Sequence, residues 1–75
     1  MTCSLFNRRR LPTAVDRKVL VNLCSGNAIE GVCTYNGPEG LVLRGAIVHE
    51  PGADPSPADG EVLIGTINID FIQLL

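Results

Sequence analysis

The side chains of this chain best suited to chemistry are a lone histidine, three cysteines and a scatter of acids. His49 stands beside Glu50, a pairing that does acid–base work only with a nucleophile or metal in reach of a water-excluding pocket. No neighbouring residue marks one, so the pattern reads as a surface histidine. Cys3, Cys24 and Cys33 have no C-x-x-C pair and only one histidine to accompany them, whereas a zinc site needs paired ligands. They read as reduced, structural thiols of an intracellular, cytoplasmic protein. A hairpin turning at Ser25-Gly26-Asn27 sets Cys33 opposite Val19, which rules against a strand-to-strand disulfide with Cys24. Glu50, Asp54, Asp59 and Glu61 surround a proline-rich stretch without calcium-loop spacing. Gly37-x-x-Gly40 lacks the strand-to-helix setting of a phosphate loop. These residues predict no enzyme, no metal and no cofactor.

Charge is unevenly placed. Residues 1–18 carry Arg8, Arg9, Arg10, Arg17 and Lys18 against Asp16, a charge of +4, while residues 19–75 carry Arg44 against seven acids, a charge of −6. Binding nucleic acid over a broad basic surface is therefore not expected. The adjacent Arg8, Arg9 and Arg10 either touch phosphates or remain solvated. Leu5-Phe6 runs straight into these arginines, so no signal peptide is expected. No apolar run approaches the roughly 18 residues that a membrane helix needs.

Such a chemistry-poor chain must be read through the elements it builds. Seventy-five residues make one small domain, and a chain this short buries only about 60% of its unfolded surface. Its core has no Trp, one Tyr and two Phe to draw on, leaving Val, Ile and Leu, which favour strands. Residues 1–16 form a basic arm, with a short helix over Ser4–Leu11 that Pro12 would end. Strands are expected at 17–24, 28–35, 41–49, 61–66 and 69–74, with Gly31 and Gly45 as bends. Residues 51–60, holding three of the five prolines, read as an exposed mobile loop. The architecture is all-β: a small, strongly bent five-stranded barrel over residues 17–75. The last segment, with Ile69, Phe71, Ile72, Leu74 and Leu75, reads as apolar on both faces, a pattern of strands covered on two sides. One barrel has one inside, so a second chain is expected to cover the other face.

Several short patterns then fall in order. Val19, Val21, Leu23 and Gly26 fit V-x-V-x-L-x-x-G; Ile29 and Gly31 fit I-x-G; Leu41 and Leu43 follow; Ile64, Asn68 and Ile69 fit I-R-G-x-N-I. Over residues 15–75 the chain resembles the Sm and Sm-like (LSm) family, whose bent SH3-type barrels assemble into rings, often around RNA. The resemblance implies a homo-oligomer, with RNA as a partner and other proteins as further candidates. It also implies that the fourth strand pairs with the fifth strand of the next copy, placing Val62, Leu63, Ile64, Ile69, Phe71 and Leu74 at or near the interface. The family's nucleotide pocket maps onto Asn36, Pro38, Gly40 and Gly65. Gly40 and Gly65 offer no side chain there, and Pro38 is a poor stacking surface. The implied pocket is atypical, with Tyr35 either replacing the stacking ring or packing on the barrel. An RNA contact through Tyr35, Asn36 and the arginine arm is one expectation. An Sm-type module that assembles without binding RNA, acting as a structural or protein-interaction part, is the other.

Overall fold

The computed structural model describes residues 15–75, and the expected helix and the Arg8–Arg10 cluster lie outside them. Five strands follow in chain order: β1 (Lys18–Leu23), β2 (Ala28–Gly37), β3 (Gly40–His49), β4 (Ser56–Gly65) and β5 (Ile69–Leu74). A single 3-10 turn, Thr66–Asn68, links the last two. All pairings are antiparallel, in the order β4-β3-β2-β1-β5. β4 and β5 are thus both edges, and they do not pair with each other.

Alternation drives the core. Val19 and Val21 of β1, Ile29 and Cys33 of β2, Leu41, Leu43 and Ala46 of β3, Ile64 of β4 and Ile69 of β5 are buried together. These are β-branched or compact apolar groups at period two, the spacing that puts them on one side of a pleated strand. The sheet folds over them at one line of irregularities. The β2–β3 register slips between Glu30 and Val32, and the β3–β4 register between Arg44 and Ala46. Gly45 and Gly60 take φ values of +60° and +75° at this line, a conformation that costs an L side chain free energy but not glycine. The bends expected at Gly31 and Gly45 are in place.

Three expectations change. The segment 51–60 is only half a loop, because β4 begins at Ser56 and Pro57 lies opposite Ile47. A proline is tolerated there because β4 is an edge strand, where a missing N–H does not break an interior ladder. The first hairpin turns on Cys24-Ser25-Gly26: Leu23 donates its N–H to the Asn27 carbonyl at 2.8 Å, and Cys33 donates to Arg17 at 2.9 Å. Gly31, not Cys33, therefore faces Val19. Cys33 is a buried thiol and is not bridged to Cys24, but Cys24 is disulfide-bonded, so the reading of uniformly reduced thiols does not hold there.

The phase of β5 also differs from the two-faced reading. Asn22 faces Phe71 while Leu23 faces Ile69, so Asp70 is an extra residue in a bulge. That bulge resets the alternation. Ile69 is buried, Ile72 packs against the core opposite Val21, and Phe71 points away from it.

On the outer face, Glu30 joins three strands. Its carboxylate meets Lys18 Nζ at 3.0 Å and His49 Nε2 at 3.1 Å. The hydrogen bond from Lys18, then that from His49, holds the Glu30 carboxyl below its ordinary pKa. His49 is thus paired with Glu30, not with Glu50. A lowered carboxylate pKa contributes stability above the ordinary carboxylate range, and that contribution is lost as pH falls through the lowered value. In Glu30→Gln, the acid-side decline of the urea midpoint is expected to be shallower than in the parent. Superimposable pH profiles would show that the pairings carry no free energy, the common outcome for exposed ion pairs.

Candidate nucleic-acid interface

The β2–β3 turn is built from Pro38 and Glu39 between the paired glycines Gly37 and Gly40. Proline fixes φ near −65°, which excludes the primed turns that need positive φ at both central residues. Glu39 does not have positive φ either, so the turn is of the ordinary type I sort, which favours proline at its first central position.

This turn lies against the β4–β5 connection. Gly40 faces Gly65 across the β3–β4 ladder. Thr66 donates its N–H to the Glu39 carbonyl at 3.1 Å and its hydroxyl to the Pro38 carbonyl at 2.9 Å. Two turns separated by more than twenty residues are thereby tied into one rim. The approach is so close that a Cβ on Gly40 would collide with the Ile64 carbonyl oxygen. Backbone cannot swing aside as a side-chain tip can. Gly40→Ala should therefore cost about 1–3 kcal/mol, the usual range for overpacking. Urea denaturation checks this, and an unchanged midpoint would contradict the tie between the two turns.

The structure brings Tyr35, Asn36, Pro38, Gly40 and Gly65 to this rim. Arg8, Arg9 and Arg10 lie outside the described residues. Tyr35 is not absorbed by the core: its side chain is 46% exposed, and its hydroxyl donates to Glu39 Oε1 at 2.8 Å. Glu39 and Thr66 are rim residues that sequence reasoning passed over. For Glu39 a signal existed, since a turn centred on Pro38-Glu39 places residues 35 and 39 close together. For Thr66 there was none, because its partners are remote in the chain.

The six residues expected at an interface divide by exposure. Leu63 is 68% exposed on β4, Phe71 44% exposed on β5, and Leu74 is also exposed. Val62 is half-buried, whereas Ile64 and Ile69 are core residues beneath the edges. A cleft of about 230 Å³ opens beside β4, lined by Leu23, Ile29, Val62, Leu63, Ile64 and Asn68 among others.

No family model and no curated protein matches this sequence. Solved structures do. A heptameric archaeal Sm protein superposes with a TM-score of 0.74 at 22% identity, covering 84% of this chain and 91% of its own. The chain has the Sm fold. An Sm protein from Pyrococcus abyssii, solved in complex with a uridine heptamer, gives a TM-score of 0.75 at 22% identity, covering 88% of this chain and all (100%) of that one. The P. aerophilum SmAP1 heptamer gives 0.74 at 22% identity, with 84% of each chain covered. The bent five-stranded architecture read from the motifs is thus that of Sm structures along most of the described chain.

Proposed function

We propose that this chain assembles into a closed homo-oligomeric ring and serves as an RNA-associated scaffold, with the Tyr35–Gly40 turn and Gly65 forming an atypical nucleotide-facing rim. The observation that carries the reading is the pair of unpaired sheet edges, β4 and β5. Each bears an exposed apolar side chain on its outer face. Leu63 alternates with buried Ile64, and Phe71 faces Asn22, the neighbour of buried Val21. An edge with free ladder groups is a template for another strand. Two different edges of one subunit make a head-to-tail contact, which closes into a ring when the rotation permits. Joining β4 of one copy to β5 of the next would set Leu63 and Phe71 on the same face, where cross-strand apolar pairs stabilise a sheet. Two of the solved neighbours are heptamers, and another was solved with a uridine heptamer. Repeated identical rims would add weak contacts through avidity.

One observation favours a second reading, an Sm-type module that assembles and binds protein without RNA. The rim lacks side chains at Gly40 and Gly65, and it carries the acid Glu39 where phosphates would be repelled. Native mass spectrometry with short U-rich and A-rich RNAs separates the two. The first reading expects a multi-copy particle that gains RNA mass. A particle that takes up neither RNA, yet retains protein partners after ribonuclease treatment, supports the second.

A further inference from the structure

We infer that a disulfide between Cys24 and Cys3 moors the N-terminal arm at the cleft beside β4, and that Leu5 and Phe6 of the arm fill that cleft. This goes beyond the ring and RNA reading and stands without it.

The chain has three cysteines. Cys24 is disulfide-bonded, and Cys33 is a free thiol buried in the core. Within one chain only Cys3 is left to bridge Cys24. Forming the bond takes two electrons and two protons from the pair of thiols. A small-molecule disulfide accepts them by exchange and leaves as two thiols. Cys24 is a fixed point for such a mooring. Its N–H donates to the Asn68 carbonyl at 2.9 Å, and its Sγ lies 3.7 Å from the Ile67 carbonyl oxygen.

The cleft opens at the same place. Leu23 and Ser25, the two chain neighbours of Cys24, line it, as do Asn68 and the core-side Val62 and Ile64 of β4. Its volume is about 230 Å³.

Distance selects the occupant. Bridged cysteines hold their Cα atoms within about 7 Å of each other. Leu5 and Phe6 follow Cys3 by two and three residues, a reach of about 7–11 Å. They are the arm's one adjacent pair of large apolar side chains, with Arg8, Arg9 and Arg10 just beyond them. A phenylalanine buries about 150–250 Å² when covered. The other end of the arm is also fixed, because Val15 packs against the core. Twelve residues separate Val15 from Cys3 and can span about 40 Å, against a longest dimension of 31 Å for the fold. The arm therefore reaches its mooring without stretching. The cleft faces the core side of β4, whereas the ladder groups of that edge lie in the plane of the sheet. Filling the cleft thus leaves β4 open to a second strand.

Two measurements on the purified full chain test this. In the first, free thiols are blocked in denaturant, and the protein is digested without reductant by trypsin and a glutamate-specific protease. Mass spectrometry is expected to find the fragment Met1–Arg8 joined to Val19–Glu30, with Cys33 in a separate, blocked fragment. The second is NMR of the methyl-labelled oxidised protein, where contacts are expected from the Phe6 ring to the Leu23, Val62 and Leu63 methyls. Phe6→Ser should keep the linked fragments and lose these contacts. Mixing labelled with unlabelled chains separates contacts within a chain from those between chains. A free Cys24, or one joined to Cys24 of another copy, overturns the mooring. Linked fragments without Leu5 or Phe6 contacts, or methyl contacts only from Ile72 or Leu74 of another copy, overturn the arm as occupant.

Discussion

Replacing Leu63 with aspartate is expected to yield a folded single subunit that no longer assembles. Leu63 is 68% exposed, so the protomer loses no core contact when it is changed. Its neighbours are informative: Ile64 beneath it is buried, and Val42 lies opposite on β3. If β5 of a second copy docks here, an aspartate would be buried without a partner, at a cost on the order of several kcal/mol per interface. The loss repeats at every junction of a ring. Leu74→Pro attacks the other side of the same junction. Leu75 donates its N–H to the Lys18 carbonyl at 3.0 Å, so the N–H of Leu74, facing Val19 in the next register position, lies on the free side of β5 and is the donor removed. Light scattering after gel filtration reads both variants, and circular dichroism confirms that the Leu63→Asp protomer keeps its strands. A Leu63→Asp protein that still elutes at the parent mass would place the interface elsewhere.

The second large effect concerns the core. Leu43 is fully buried, with Cys33 and Val62 as its cross-strand neighbours. Leu43→Ala should cost about 2–5 kcal/mol, the transfer loss plus the cavity left behind. A domain of this size has about 4–11 kcal/mol in total, taking 0.05–0.15 kcal/mol per residue. The variant is therefore expected to sit near its unfolding threshold at room temperature. The proposed ring would add a further signature, because subunit association stabilises by mass action. The melting temperature of Leu43→Ala should fall well below that of the parent and should rise with protein concentration. A concentration-independent Tm equal to the parent's would contradict both the packing account and its coupling to assembly.

The parts of the fold legible in the sequence are those governed by local alternation. Val19 and Val21, then Leu41 and Leu43, announce their strands by period two, and Gly31 and Gly45 mark the bend. What was hidden depends on contacts between distant residues. Ser56-Pro57-Ala58-Asp59-Gly60 reads as loop composition, yet the first of these residues pair with Val48, Ile47 and Ala46, and an edge position lets them. The bulge at Asp70 cannot be read from β5 alone, because it exists only as a mismatch against β1. Without it, Ile69 and Phe71 fall on one face; with it, Ile69 joins the core and Phe71 faces outward. The rim divides in the same way. Tyr35, Asn36, Pro38, Gly40 and Gly65 were reached through motif register; the Glu39 contact to Tyr35 is local to one turn and was passed over, whereas the clasp by Thr66 needed the two turns to be seen side by side.

These two edges also explain why so small a domain is sufficient. A five-stranded sheet open at both sides shields its interior incompletely, and the cleft beside β4 exposes Val62 and Leu63 along that opening. In the proposed ring a partner strand would cover that opening and add to the stability that the folded single chain already has.

Sedimentation velocity of the purified parent protein over a hundredfold dilution tests that ring most directly. Strand joining between copies predicts one discrete species of several times the 8.0 kDa chain mass, persisting on dilution and collapsing to a single subunit in Leu63→Asp. A well-folded 8.0 kDa species at every concentration would contradict it.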